Sequence, residues 1–145
     1  MIHKSVRHAA VAPRTQKGLE ELRVFSREAM KDAALDDYDK GLVLLCIDEV
    51  LTAVIENAKR FASDDAQLQL VIDIDEVRVR IMIEDTETRF DNRLDEQTFG
   101  SIRDDDARRE IDVLFLSSVM DEVTYNYQKG LQNVLVMTKF LPTAD

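Results

Sequence analysis

Apolar residues recur every three or four positions in some stretches of the chain and every second position in others, and each change of period predicts a change of element. The longest helical stretch runs from Gly41 to Phe61, GLVLLCIDEVLTAVIENAKRF, with Leu42, Leu45, Cys46, Val50, Val54, Ala58 and Phe61 at helical spacing. Polar residues interrupt it so seldom that protein must cover most of its circumference. Glu49 is the exception. It stands on the side of Leu42, Leu45, Cys46 and Ala53, where a carboxylate must be paired, neutralised or open to a cavity, unless its stem packs while its head reaches water.

Before this helix, Thr15 can cap another whose stripe of Leu19, Leu22, Phe25, Ala29 and Ala33 faces the core. LDDYD (35–39) is predicted as the break between the two, with Asp36, Asp37 and Asp39 placing negative charge at the N-terminus of the long helix. The segment from Ile2 to Ala12 alternates weakly and is predicted as an edge strand. After a turn at ASDDAQ (62–67), two strands alternate cleanly: Leu68, Leu70, Ile72 and Ile74, then Val77, Val79, Ile81 and Ile83 across Asp75 and Glu76. Their intervening residues are mostly polar (Gln69, Asp73, Arg78, Arg80), so one face of the hairpin meets the helices and the other meets solvent or a partner.

The stretch from Glu84 to Arg109 is polar and irregular, longer than most structureless connections, with Phe90, Leu94 and Phe99 as its anchors. A shorter helix is predicted to start near Asp104 to Asp106 and to run through Ile111, Leu114, Phe115 and Ser118 to Met120. Val123 to Tyr127 and Gln132 to Phe140 form a closing hairpin, turned at 128–130 with Gly130 supplying a positive φ. The order β-α-α-β-β-α-β-β predicts an α+β fold, a two-layer sandwich with helices on one face of a mixed, mainly antiparallel sheet.

The 145 residues suit a single domain spanning 1–145. A hydrophobic fraction of 45% beside 33% charged residues is that of a soluble globular chain, and no apolar run approaches the ~20 residues of a membrane span. With no apolar leader behind Met1, a cytoplasmic setting is expected. A net charge of −10 argues against nucleic acid, which is bound chiefly through surplus Lys and Arg, and favours a neutral or basic partner such as a protein. His3 and His8 have no metal-site spacing and are expected to be solvated, while the lone Cys46 is read as core.

IDEVLTAVIENA (47–58), the hairpin ending in EDTETRFD (84–91), FLSSVMDEVTYNY (115–127) and KGLQNVLVMTKFL (129–141) together resemble the anti-sigma factor serine kinases of bacterial partner-switching systems. Those kinases belong to the gyrase, histidine-kinase and MutL ATPase superfamily, so the resemblance implies a histidine kinase-like ATPase fold and three nucleotide motifs. In the first, a Glu on the central helix takes the proton from the attacking hydroxyl, and an Asn one turn on holds the magnesium that bridges the phosphates. Glu49 matches the Glu and Thr52 its usual companion, but Ala53 stands at the Asn position and Asn57 where a His often does. In the second, Asp-x-Gly-x-Gly-Phe, the Asp accepts from the adenine amino group. Asp85 and Phe90 match, while Glu87 and Arg89 replace the glycines. In the third, Gly-x-Gly-Leu, bare amides at the start of the last helix cradle the phosphates, and the glycine positions fall at Glu110 and Asp112. None of the four glycines, Gly18, Gly41, Gly100 and Gly130, lies in a nucleotide motif.

The resulting expectation is a degenerate member that regulates by binding proteins. Glu49 is the vestigial counterpart of the general base and Asp85 that of the adenine contact, with no metal ligand and no cofactor expected. The resemblance implies a sigma factor or a STAS-domain anti-anti-sigma protein as partner, and a homodimer. The competing expectation is an active serine/threonine kinase that uses ATP and magnesium to phosphorylate the anti-anti-sigma protein. A sensor-kinase-like module parted from its other domains comes third.

Overall fold

Capping carboxylates and hydroxyls set where the helices begin. The Thr15 hydroxyl accepts from the Gly18 N–H at 3.1 Å, so the first helix, α1 (Gln16–Ala29), starts at the expected cap and runs into a single 3-10 turn (Met30–Asp32). The Asp36 carboxylate accepts from the Asp39 N–H at 2.7 Å, and α2 (Asp37–Phe61) therefore begins one turn before Gly41. Asp37 and Asp39 belong to its first turn, not to a break. The computed structural model describes residues 5–61, 67–86, 111–127 and 133–142.

Five strands follow the predicted order: β1 (Val6–Pro13), β2 (Gln67–Ile74), β3 (Arg78–Thr86), then α3 (Val113–Val119), β4 (Glu122–Tyr127) and β5 (Asn133–Phe140). They form one sheet in the order β1-β2-β3-β5-β4, with β1 at an edge as expected. Every pairing is antiparallel, so the sheet is not mixed. The reason lies in the connections: α1 and α2 leave from Pro13 and return at Gln67, its register partner, which forces β2 to run back along β1. The helices pack on one face, over Leu68, Leu70, Ile72, Val79, Ile81, Ile83, Leu135 and Met137, all buried. This is the expected α+β sandwich. No helix among the described residues is long and apolar enough to cross a membrane.

Several positions differ from the expectation. Val77 lies in the β2–β3 turn, where the Asp75 carboxylate accepts from the N–H groups of Val77 and Arg78 at 2.8 and 2.9 Å. That pattern is a side-chain turn, and it removes one residue from the strand. At its other end β3 continues through Glu84, Asp85 and Thr86, which pair with Gln69, Leu68 and Gln67, so these residues are strand and not irregular chain. Ile111 is buried but not helical, because Asp112 caps α3 through a bond from the Phe115 N–H at 3.0 Å. Leu45 is 56% exposed. Val43, Cys46, Ile47 and Val50 define the buried arc of that part of α2, and at 100° per residue Leu45 stands about 150° from its centre. His8 stays partly solvated but is not free: its Nε2 lies 2.7 Å from the Asp32 carboxylate and its ring meets Phe25 edge-on, tying β1 to the 3-10 turn after α1. The turn at 62–66, the anchors Phe90, Leu94 and Phe99, the acid triplet Asp104 to Asp106, Gly130 and His3 lie outside the described residues.

Two glycines test the packing with opposite signs. A Cβ on Gly18 would stand 1.9 Å from the Pro13 carbonyl oxygen, whereas one on Gly41 meets nothing within 4 Å. Gly18→Ala is expected to lower stability in urea denaturation by about 1–3 kcal/mol, as overpacking does. Gly41→Ala, within a helix, is expected to raise it by roughly 0.5–1 kcal/mol. A neutral Gly18→Ala would show that α1 does not press against the end of β1.

Candidate functional site

Glu49 is placed by α2 and half-buried. Its carboxylate accepts from the backbone N–H of Asp112 at 3.0 Å. Asp112 in turn caps α3 by accepting from the Phe115 N–H. The structure thus brings together the counterpart of the general base and one of the positions that replace the phosphate-loop glycines, in a chain of hydrogen bonds running from α2 into α3. A carboxylate next to the first amides of a helix is electrostatically favoured there, so Glu49 acts as a tether for the α3 start.

Asp85 lies elsewhere in this arrangement and is more deeply engaged. Alternation along β3 turns it to the helix side with Ile81 and Ile83, and the residue is 1% exposed. In register, Leu68 of β2 stands between it and Ala12 of β1. Two residues beyond Ala12 the Arg14 guanidinium reaches across, donating from Nη1 to Asp85 Oδ2 at 2.6 Å. Both side chains are sealed from solvent, at 2% and 0% exposure. The carboxylate expected to face an adenine amino group faces a guanidinium of its own chain. Sequence reasoning missed Arg14 altogether, passing over it between Pro13 and the Thr15 cap.

Ala53, at the position of the metal-holding Asn, is fully buried and its methyl offers no ligand atom. Among the described residues, none provides a hydrogen-bond partner for the buried Thr52 Oγ1. Cys46 is core, and burial, with a smaller contribution from the Glu49 charge, pushes its thiol up to about 11, which leaves it a thiol at neutral pH and no nucleophile. Phe90, Glu87, Arg89, Glu110 and the side chain of Asn57 lie outside the described residues. A groove of about 350 Å³ lies between α1 and α2, lined by Arg23, Arg27, Leu44, Leu45 and Asp48 among others, and contains none of the motif counterparts. As arranged, Glu49, Ala53 and Asp85 do not fit a nucleotide with its bridging magnesium: the base is bonded to a helix start, the metal position is a methyl, and the adenine acceptor is in a buried ion pair.

Residues 12–139 match the model of a family described as histidine kinase-like ATPase domain. No curated protein sequence matches the chain.

The ion pair yields a mutational cycle. Removing one partner of a buried pair leaves the other charge uncompensated, so Arg14→Met or Asp85→Leu alone is expected to cost about 3–5 kcal/mol in chemical denaturation. The double variant Arg14→Met with Asp85→Leu should recover most of that loss, because the corner becomes apolar throughout. Additive losses would mean that the two residues act separately.

Proposed function

This chain belongs to the histidine kinase-like ATPase domain family, and on that basis we propose that it is an anti-sigma-factor-like regulator that works by binding proteins and turns over no ATP. The observation that carries this reading is that the two residues matching the family's working carboxylates are both engaged within the fold. Glu49 holds the Asp112 N–H and Asp85 holds Arg14. The motif resemblance points to a sigma factor or a STAS-domain anti-anti-sigma protein as partner, in partner switching, with the regulator itself a homodimer. Its charge of −10 suits a neutral or basic protein surface and opposes nucleic acid.

The kinase alternative carries a quantifiable handicap. For adenine to reach Asp85, Arg14 must be displaced and its charge left buried, at a cost of about 3–5 kcal/mol, which weakens nucleotide binding by roughly two to four powers of ten. The Ala53 methyl adds a missing metal ligand, and nothing in these residues offsets either loss.

Thermal unfolding with millimolar ATP and magnesium separates the two readings. A ligand at ~100 times its dissociation constant stabilises a fold by ~2.7 kcal/mol, a shift of several degrees, and none is expected here. Binding of a purified sigma factor or STAS protein should be nearly unchanged in Glu49→Gln, since a neutral amide oxygen still accepts from Asp112. A saturable thermal shift, together with phosphorylation of a STAS protein that vanishes in Glu49→Gln, would instead establish a working kinase.

A further inference from the structure

Three arginines converge at one corner of a chain whose net charge is −10. Where β2 turns into β3, a hollow of about 330 Å³ is lined by Ser5, Arg7, Asp73, Asp75, Arg78 and Arg80. Val79 and Ile81 are buried beneath the helices, so alternation along β3 turns Arg78 and Arg80 to the opposite face of the sheet.

Both carboxylates of the corner are engaged. The two oxygens of Asp73 accept from Arg7 at 2.8 and 2.9 Å. The Arg7 hydrogen bond, joined by the charges of Arg7, Arg80 and Arg78 and opposed by burial, holds the Asp73 carboxyl below the usual carboxylate range, so it stays ionised and bonded to Arg7. One oxygen of Asp75 accepts from the N–H groups of Val77 and Arg78. Its other oxygen lies 3.9 Å from Arg78 Nε, beyond hydrogen-bonding distance. Among the described residues, the Arg78 side chain makes no hydrogen bond, and half-buried Arg80 makes neither a hydrogen bond nor an ion pair. Two neighbouring guanidiniums, each a fork of N–H donors, are thus left without acceptors.

We propose that this corner binds a phosphate dianion, as the free ion or as a small phosphate monoester, between Arg78 and Arg80. Residues two apart on a strand stand ~7 Å from each other with their side chains on one face. A phosphate gripped from two sides, with each N–H···O contact about 2.8 Å long, sets its two guanidinium carbons roughly 7–8 Å apart, which matches that spacing. A carboxylate has two oxygens and one fork occupies both, whereas a phosphate has oxygens left for the second fork. Charge agrees with shape. Three guanidiniums face two carboxylates, and a dianion offsets the mutual repulsion of Arg78 and Arg80. The hollow exceeds what the bare ion needs and leaves room for a small organic substituent. A triphosphate chelated by magnesium is not the ligand, because the metal already holds the oxygens that the arginines require. Arg80 stands on the face opposite to Asp85, so this site is separate from the nucleotide-motif counterparts and does not rest on the function proposed above.

Isothermal titration calorimetry of the full chain tests the site, with sodium phosphate and with glycerol phosphate in chloride buffer at constant ionic strength and at a pH where both are dianions. Saturable binding is expected, with a dissociation constant of about 1 mM or tighter. Arg78→Gln and Arg80→Gln, each checked for an unchanged circular dichroism spectrum, should each weaken it about tenfold or more. Arg80→Lys should weaken it as well, since an ammonium keeps the charge and loses the fork. Asp73→Asn should tighten it, because that change removes a negative charge beside Arg80 and releases Arg7 towards the ion. Tighter binding of glycerol phosphate than of inorganic phosphate would assign the site to a monoester, and equal binding to the free ion. No saturable binding of either, or an affinity that neither glutamine variant lowers, would overturn the site. Binding left intact in Arg80→Lys would reduce it to diffuse charge attraction and overturn the two-fork geometry.

Discussion

The arginine–aspartate pair between Arg14 and Asp85 is the constraint on which one end of the molecule depends. Neither charge has access to water, so neither group can leave without stranding the other. The pair is also a geometric fastening. It joins the end of β1 to the end of β3 over Leu68, and it stands where the Thr15 N–H bonds the Pro13 carbonyl at 2.8 Å and where Gly18 brings α1 against that same carbonyl. Strand end, helix start and sheet edge are thereby fixed relative to one another.

The two carboxylates that define the candidate site differ in how firmly they are held. Glu49 is half-buried and accepts from a backbone amide, a contact of about 1.5–3 kcal/mol, and less where water competes. Asp85 is sealed and opposed by a full charge. Displacing the Asp112 amide from Glu49 is a modest obstacle, whereas a ligand at Asp85 must displace a buried guanidinium. Of the three features, the guanidinium that enters the corner from β1 would oppose a purine most strongly, more than the methyl of Ala53 or the bond at Glu49.

Much of the architecture was legible because periodicity is a local property. The alternation of Leu68 to Ile74 and the three- and four-residue spacing of Leu19, Leu22, Phe25 and Ala29 each depend on a single element meeting a single core. The Thr15 cap was legible for the same reason. Glu49 announced itself by breaking an apolar stripe, which signals engagement without naming the partner. What stayed hidden depends on distance along the chain. Arg14 and Asp85 are 71 residues apart, and only the order β1-β2-β3 puts them side by side. Asp85 itself looked like loop, since EDT has no apolar member, and its pairing with Leu68 and Asn133 makes it strand. The partner of His8 stayed hidden because Asp32 belongs to another element. The histidine kinase-like ATPase domain was readable from motif order, while the disposition of its polar residues was not.

The register between β1 and β2 also orders the events of folding. β2 and β3 are joined by a tight turn, and β4 and β5 are neighbours both in sequence and in the sheet, so each pair can form from contacts close along the chain. β1 meets β2 only across the whole of α1 and α2, with Val6 opposite Ile74. Loop-closure entropy places such long-range pairing late. Until β1 docks, the Asp85 carboxylate stays hydrated and its strongest contact does not exist. A contact formed after the rate-limiting barrier leaves the folding rate almost unchanged and governs how fast the native state comes apart. If β1 docks after that barrier, Arg14 acts chiefly on the lifetime of the folded protein; if the docking is itself the barrier, Arg14 sets the folding rate as well.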